Sequence, residues 1–532
     1  MKKNLTYILL FAFLSLWSGC KKDLPKLKED DTEIKPPQTS KVYNTDLKEN
    51  VIKDSVFYYT KLFSLWQDNL PPKDLNDLNK ADLIRTKYTQ YFERGEDVLD
   101  WLVSLTPKNS ETGHPVDRYS FLDRQGIIRD EIQDAVATSF GMDVFYLQTE
   151  SSGENADLYI RMVDQNSSAW NAGMERGDRI ISINGNTKID YNSQVAENFR
   201  TLNGFLNSNS LEVRFQKPSG TIMVEVVNST QFEFNPVQDY RIISSNGKKI
   251  GYLAFSSFVT IEKLVDLGGG RKEWVKTPMY TAFENILGSL QGVDELVVDL
   301  RYNGGGAVIT AEYLADWLVP STKSQDLMYT TTMNTYFQRE GWTRPGEEFG
   351  PVFFQKKGTI NLQRIYFIVS KSTASASELL INVLKPHMSV YLVGTKAVND
   401  ANRVVDENTY GKPVGFWEWP IVEDIADSRN NVSLYASSFK THNKAGEGDY
   451  FNGMKPNVNV WEFESFQNFG NPNESMLRAA ISHINTGNFS SLALRSGGII
   501  RKNRAIDERM EVRSNARGGM FKFNQGTLRL KE

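Results

Sequence analysis

The sequence is poor in cysteine and histidine, the residue types that bind most zinc ions in proteins. Its 532 residues include one cysteine, Cys20, and four histidines. One cysteine excludes a disulfide within the chain and a cysteine-based metal site, and no histidines stand in an HExxH motif. We therefore expect no metal site in this protein.

A strong net charge is also missing. The chain has 61 lysines and arginines against 65 aspartates and glutamates, a net charge of −4, which argues against a general nucleic-acid binder. Beyond the N-terminal stretch, no segment is long and apolar enough to span a bilayer. With 40% hydrophobic and 12% aromatic residues, the chain can form several globular domains.

The single cysteine follows a signal-like N-terminus. Two lysines precede an apolar stretch, residues 7–16, that is too short to cross a membrane, and small residues lead to Cys20. This pattern resembles a bacterial lipoprotein signal, in which Cys20 becomes the lipidated first residue, although Trp17 is unusual there. The alternative is a plain secretory signal with an incidental cysteine. We predict a signal peptide over residues 1–20, a lipid anchor on Cys20 and a flexible tether over residues 21–45.

Two different periodicities follow the tether. Residues 46–135 show helical spacing of apolar side chains and predict an N-terminal helical domain. Residues 136–232 instead alternate like strands, and Asn184-Gly185 is a typical hairpin turn. Together with Gly177-Asp178, this pattern resembles a PDZ domain; an unrelated small β-domain is the alternative.

The resemblance to a PDZ domain implies a peptide-binding loop. The matching loop is formed by Phe140, Gly141 and Met142. In PDZ domains this loop offers backbone amides to a peptide carboxylate, and the peptide adds to the sheet as a strand. We therefore expect protein or peptide substrates to bind through this loop.

Strand and helix patterns alternate over residues 233–489. Apolar runs at 295–300 and 365–369 read as buried strands, each followed by a small-residue loop and a helix. The first loop is Gly304-Gly305-Gly306, which lets the backbone approach a ligand closely. This alternation predicts a mixed α/β fold with a central sheet.

The second loop, residues 371–378, is rich in serine. A helix begins directly after it, so its amides and the positive end of the helix dipole would favour a serine nucleophile and its oxyanion. From this stretch alone, an ordinary serine-rich helix cap is the alternative.

The order of these motifs resembles the C-terminal processing (tail-specific) serine protease family, whose core is related to the crotonase-like and tricorn folds. The resemblance covers about residues 50–485. It depends on an Asp-Leu-Arg-x-Asn-x-Gly-Gly motif at residues 299–306, an Ala-Ser-Ala-Ser-Glu motif at 374–378, and Thr409-Tyr410-Gly411-Lys412.

The resemblance implies an acyl-transfer mechanism without a cofactor. Ser375 would be the nucleophile and Lys412 the general base, whose pKa must fall by desolvation for it to accept a proton near pH 7. The oxyanion hole would come from the backbone amides of Ala376, Gly304 and Gly305.

The sequence departs from the family pattern around the base. Lys412 is farther from Ser375 than the family spacing, by about the length of a polar insertion at residues 395–409. Lys396 stands nearer to that spacing but lacks the Gly-Lys context. The family's glutamine that orients the lysine falls at Phe416. A tricorn-like branch uses a histidine, for which His114 is the candidate here.

These motifs predict a lipid-anchored serine endopeptidase of the bacterial cell envelope that cleaves proteins or peptides. One alternative is a catalytically impaired binding lipoprotein that holds peptides or ligands on the same fold. Another is a surface scaffold that uses residues 490–532, a basic extension that we interpret as loosely packed.

Overall fold

The structure is a computed structural model that does not describe every residue. The predicted signal peptide, the lipidation site Cys20 and the first part of the tether lie outside the described residues. Within the described ranges, no helix is long and apolar enough to cross a membrane. The structure describes residues 34–38, 40–42, 45–149, 151–269, 271–398, 403–423, 430–489, 504–505 and 519–523.

The N-terminal helices pack against the larger domain and share its hydrophobic core. The first helix begins after Asp46, whose carboxylate accepts the amide hydrogens of Lys48 and Glu49 at 2.8 and 3.2 Å. On its buried face, the Phe63 ring lies 5.2 Å from that of Trp417. The elements are α1 (Leu47–Phe63), α2 (Ala81–Lys87), α3 (Gly95–Ser104), β1 (Phe121–Asp123) and α4 (Ile127–Gln133).

The PDZ-like module has its own hydrophobic core. Its antiparallel sheet has the order β3-β4-β5-β6-β7, and β2 pairs with β8 in a separate ribbon. The elements are β2 (Val136–Ser139), β3 (Met142–Gln148), β4 (Asp157–Val163), α5 (Ser168–Asn171), β5 (Arg179–Ile183), α6 (Tyr191–Val195), α7 (Arg200–Leu206), β6 (Ser210–Gln216), β7 (Ile222–Asn228) and β8 (Thr230–Glu233).

The larger domain follows with alternating strands and helices. Its strands are β9 (Val237–Ser245), β10 (Lys248–Phe255), β11 (Glu262–Asp266), β12 (Lys272–Lys276), β13 (Glu295–Asp299), β14 (Gly305–Ala307), β15 (Leu327–Met333), β16 (Val352–Phe353), β17 (Arg364–Ile368), β18 (Ser389–Val398), β19 (Val404–Asp406), β20 (Val414–Val422), β21 (Val432–Asn443) and β22 (Val458–Val460). Its helices are α8 (Pro278–Ser289), α9 (Val308–Leu318), α10 (Thr335–Arg339), α11 (Ala376–Leu384) and α12 (Ser475–Thr486).

Two large sheets organise this domain. The central sheet has the order β19-β18-β17-β13-β10-β9, with β22 beside β18, and its strands β10, β13, β17 and β18 are parallel. Their continuous apolar runs fit strands covered on both faces. The second sheet contains β20, β21, β15 and β16, with β1 beside β21. The prediction of a mixed α/β fold with a central sheet is confirmed.

A buried ion cluster lies where β13 ends. Arg301 is 1% exposed and contacts Asp299 at 2.6 Å and Glu474 at 2.8 Å. Arg176 of the PDZ-like module reaches the same cluster through Glu462 at 3.0 Å. Since Arg301 lies between the end of β13 and the glycine loop, the cluster connects the PDZ-like module to the segment that leads into that loop.

The interpretation of residues 490–532 as a loosely packed extension is wrong for residues 519–523. Strand β24 (Gly519–Lys522) lies between β14 and β20 in the second sheet. Met520 and Phe521 are buried, and each such side chain contributes about 1.5–3 kcal/mol of burial. The many basic residues of the extension favour the interpretation as a solvated tail, and this short apolar strand is not apparent among them. Farther upstream, β23 (Arg504–Ala505) pairs with β3 of the PDZ-like sheet.

Candidate active site

The turn between β17 and α11 holds Ser375 in an unusual backbone conformation. Ser375 has φ 61° and ψ −109°, a region that non-glycine residues rarely occupy. It is fully buried, and its Oγ has no hydrogen-bond partner among the described residues. A sharp strand-to-helix turn presents the nucleophilic serine in another class of hydrolase. The neighbouring Ser377 instead donates its hydroxyl to the Asn303 carbonyl at 2.9 Å.

The carboxylate of Glu378 joins this turn to the segment that carries Lys412. Its Oε2 accepts the amide hydrogens of Ser375 at 2.9 Å and of Lys412 at 2.8 Å. Its Oε1 accepts the Gly411 amide at 2.8 Å and the Thr409 hydroxyl. Burial raises the pKa of Glu378, and these four donors oppose that rise. One buried side chain therefore holds both segments of the predicted dyad.

The polar insertion leaves this arrangement intact because it folds into a hairpin. Strand β18 runs out to Val398 and β19 pairs back along it in antiparallel fashion. The Glu407 amide then donates to the Thr395 carbonyl at 3.0 Å, so the chain returns to where it left. Lys396 lies on the hairpin and pairs with Asp406 at 2.9 Å. The extra residues thus lengthen the chain between Ser375 and Lys412 without separating the two segments.

Lys412 is surrounded by aromatic rings. Its Nζ lies 4.0 Å from the centroid of the Phe416 ring and 5.5 Å from that of Tyr119. Burial lowers the pKa of the Lys412 ammonium to about 7, against the opposing fields of Asp117 and Glu378. Phe416, which replaces the glutamine of the family pattern, thus supplies an apolar face and no hydrogen bond. A lysine with this pKa is substantially neutral at pH 7 and can accept a proton.

The glycine loop approaches the first amide of α11. A Cβ placed on Gly305, which has φ +114°, would lie 3.0 Å from the Ala376 nitrogen and 2.0 Å from the Gly519 carbonyl oxygen. Only glycine fits so close an approach at positive φ. The Ala376 amide, as the first of its helix, has no acceptor within the helix. The Gly305 amide already donates to Asn303 Oδ1 at 2.9 Å.

A cavity of about 970 Å³ opens onto this arrangement. Gly304, Ala374 and Lys412 line it, together with residues of the N-terminal region. The latter combine apolar and aromatic side chains with polar ones, and are Arg118, Tyr119, Phe121, Leu122, Asp123, Arg124, Gln125, Ile127 and Ile128. The space suits an extended peptide.

The predicted peptide-binding loop lies directly before the PDZ-like strand β3. Phe140 is buried, and its carbonyl accepts the Ala169 amide at 3.0 Å. The Gly141 amide donates to Ser139 Oγ at 3.0 Å, and Met142 begins β3. The adjoining edge of β3 pairs with β23 at its far end. The role of this loop stays a prediction.

His114 and possible metal ligands are the remaining candidates from the sequence. His114 is exposed in a surface turn. Within the described residues, no cluster of three or more histidine, cysteine, aspartate or glutamate side chains could hold a metal ion.

Three contributors to the site were not predicted. The bridging contacts of Glu378 were not predicted, although Ser-x-x-Glu is a capping-box pattern that places the carboxylate near the Ser375 amide. Asp117 is buried and accepts the hydroxyls of Ser120 and Ser437 at 2.7 and 2.9 Å, and burial raises its pKa. No local sequence pattern predicts that the charge of Asp117 acts on Lys412. Phe521 belongs to the apolar alternation of β24, which was a usable strand signal.

Comparison with known families identifies two regions. Residues 249–412 match peptidase family S41, and residues 159–197 match a PDZ domain. The first match begins in β10 and ends at Lys412. The expectation of a PDZ module followed by a serine peptidase core is confirmed for these two regions.

Among curated proteins, the chain is similar to two carboxyl-terminal-processing proteases. It is 27% identical to that of Picosynechococcus sp. over 297 residues, which is 54% of this chain and 63% of the relative. It is 26% identical to that of Synechocystis sp. over 257 residues, 47% of this chain and 51% of the relative. The chain therefore spans half to two thirds of the length of these relatives.

Among solved structures, a Bacteroides fragilis protein assigned to the S41 proteases is similar in fold. The TM-score is 0.57 with 23% sequence identity, and the match covers 84% of this chain and 98% of that one. At this identity the similarity establishes the shared fold.

We expect Glu378→Gln to impair both the site and the fold. The glutamine amide has only one oxygen. Its NH₂ group would face donors whose hydrogen bonds the second oxygen of Glu378 now accepts, and each unsatisfied buried donor costs about 1–3 kcal/mol. Denaturant unfolding should show a loss of that order, with activity reduced at least about tenfold. Glu464→Gln, an exposed site, is the matched control. Unchanged activity in Glu378→Gln would contradict the bridging role.

Proposed function

We propose that this chain, which contains a peptidase family S41 domain and a PDZ domain, is a serine endopeptidase of the carboxyl-terminal-processing type. Ser375 is the nucleophile and Lys412 the general base. The observation that carries this proposal is the Glu378 carboxylate, which binds the amides of both residues beside an open cavity. The names of the curated relatives support the reaction class.

Acylation begins when a peptide carbonyl reaches Ser375 through the cavity. Neutral Lys412 takes the hydroxyl proton as Oγ attacks the carbonyl carbon, and the resulting oxyanion accepts the amide hydrogen of Ala376. The Lys412 ammonium then donates its proton to the leaving amine as the C–N bond breaks. Gly304, which lines the same cavity, is placed better for a second oxyanion contact than Gly305, whose amide is engaged.

Deacylation repeats the proton transfer with water. Lys412 removes a proton from a water molecule that attacks the acyl-enzyme, and returns it to Ser375 Oγ as the ester bond breaks. The amine product has already left during acylation, and the second product leaves as a carboxylic acid, which releases its remaining proton to solvent. All steps use side chains and backbone amides of this chain, so the reaction needs no cofactor.

The PDZ domain recruits protein or peptide substrates by their C-termini, with Phe140, Gly141 and Met142 as the carboxylate-binding loop. The position of this loop directly before β3, whose outer side is paired with β23 only at Leu147 and Gln148 in the described part of the chain, supports that role. The hairpin removes the objection from the long insertion, so the binding-protein alternative is left with one argument, the phenylalanine at position 416 in place of the orienting glutamine.

The N-terminal sequence supports a location in the cell envelope with a lipid on Cys20. Such an anchor would keep the protease at a membrane surface, within reach of extracytoplasmic proteins.

The dyad is tested with an unfolded reporter such as β-casein. Ser375→Ala removes the nucleophile and Lys412→Met removes the general base. Each variant should therefore reduce cleavage by at least about a thousandfold. A serine-directed fluorophosphonate should label the parent protein and neither variant. Ser372→Ala and Lys396→Met are matched controls and should retain activity within about twofold. Full cleavage by Ser375→Ala would exclude this proposal.

The pH dependence follows from the pKa of about 7 for Lys412. Only the neutral amine accepts a proton, so kcat/KM should rise with pH through about 7 and then level off. At pH 6 about a tenth of Lys412 is neutral, which predicts an approximately tenfold loss relative to pH 8. A kcat/KM profile without an acidic limb between pH 6 and 8 would contradict Lys412 as the base.

Lipidation is tested in a bacterial host supplied with radiolabelled palmitate. The parent protein and Ser375→Ala should both incorporate label and partition into detergent. Cys20→Ser should do neither, because Cys20 is the only thiol in the chain. Equal labelling of Cys20→Ser would rule out the anchor at this position.

A further inference from the structure

Strand β24 fills a gap one strand wide between β14, which begins in the glycine loop, and β20, which follows Lys412 in the chain. On one side it pairs in parallel with β14, where Gly305 faces Gly519 and Ala307 faces Phe521. On the other side it pairs in parallel with β20, where Phe416 faces Phe521. Adjacent strands are about 4.8 Å apart, so β14 and β20 alone would be too far apart to share hydrogen bonds.

The first contact of β24 fixes the glycine loop. The Gly519 amide donates to the Gly304 carbonyl at 2.9 Å. The loop is held on its other side by Phe258, whose amide donates to the Gly305 carbonyl at 2.8 Å. Without β24 the loop would keep the contacts with Phe258 and lose its neighbouring strand.

The second contact of β24 protects the surroundings of the base. The Phe521 ring stacks on that of Phe416, with centroids 5.5 Å apart. The same Phe416 ring contacts the ammonium of Lys412, which lies 4.0 Å from the ring centroid. Phe521 is 1% exposed and shares a hydrophobic cluster with Phe416, Tyr119 and Val414. Removing it would admit water to the aromatic layer that desolvates Lys412.

A third contact anchors the end of the strand. Lys522 donates through Nζ to the Glu348 carbonyl at 2.8 Å and lies 4.9 Å from the centroid of the Phe349 ring. The strand is thus held by backbone pairing, by aromatic packing and by a lysine contact.

We propose that residues 519–523 are a positioning element of the active site, a strand that must be seated between the glycine loop and the lysine-bearing strand for catalysis. This inference rests on the proposed function of Ser375 and Lys412. It makes the seating of β24 a control point: release of this strand from between β14 and β20 switches the protease off.

The position of β24 indicates that this strand completes the active site and does not block it. Among the described residues that line the cavity of about 970 Å³, none belongs to β24. The segment therefore leaves the substrate space open and acts from behind the glycine loop and Phe416. A pseudosubstrate would instead occupy the cavity beside Ala374 and Lys412.

The test compares a chain ending at Arg517 with a control chain ending at Asn524, which keeps β24. The shorter chain should lose at least about a hundredfold in cleavage of unfolded casein, while the control stays within about threefold of the full chain. A synthetic peptide of residues 516–525 added to the shorter chain should restore part of the activity. Equal or higher activity of the shorter chain would overturn the proposal, higher activity indicating an inhibitory segment.

A point variant separates positioning from simple folding. Phe521→Ala should move the acidic limb of the kcat/KM profile upward by at least about half a pH unit, because water would reach the layer around Lys412. Phe353→Ala, an exposed phenylalanine of β16, should leave the profile unchanged. An unshifted profile in Phe521→Ala would refute the link to the base.

Failure of the proposed function is distinguishable from failure of this inference. If the full chain does not cleave casein, amide hydrogen exchange is compared in the Ser375→Ala background. The chain ending at Arg517 should then exchange faster at residues 305–307 than the control chain ending at Asn524. Equal protection in the two chains would overturn the positioning role whatever the activity of the protein.

Discussion

The arrangement of the candidate site depends on one buried carboxylate. Glu378 accepts four donors that belong to two segments distant in sequence, and two of these donors are the amides of Ser375 and Lys412. A buried carboxylate needs such donors, because an unpaired charge in the protein interior is costly. The energetic requirement of one side chain thus specifies how the serine turn and the lysine segment meet.

Two buried cations of the same domain have pKa values shifted in opposite directions. Burial alone would lower the pKa of Arg301, but the charges of Asp299, Glu462 and Glu474 outweigh it and raise that pKa well above the usual value. Lys412 instead lies against aromatic rings, and burial lowers its pKa to about 7. The arginine can serve as a permanent structural centre, whereas the lysine can exchange protons. Both outcomes follow from the choice of neighbours.

Local patterns predicted much of the fold and part of the site. The strand-turn-helix around Ser375, the glycine loop and the hairpin of the PDZ domain are each specified within about ten residues, so the sequence shows them directly. The contacts of Glu378 with residues 409–412 and the pairing of β24 with β14 and β20 join distant segments, and no local pattern specifies them. The charge of the extension also concealed the burial of Phe521, because composition averages over a segment while packing selects individual side chains.

The hairpin formed by β18 and β19 has a consequence for how related sequences are recognised. The number of residues between Ser375 and Lys412 measures the path of the chain, and the hairpin adds to that path while the Glu407 amide returns it to the Thr395 carbonyl. The distance between two functional groups is therefore free to stay constant while the interval in the sequence grows. A search pattern that requires a fixed interval between serine and lysine would discard such a chain, whereas one anchored on the Ser-x-x-Glu and Gly-Lys motifs would retain it.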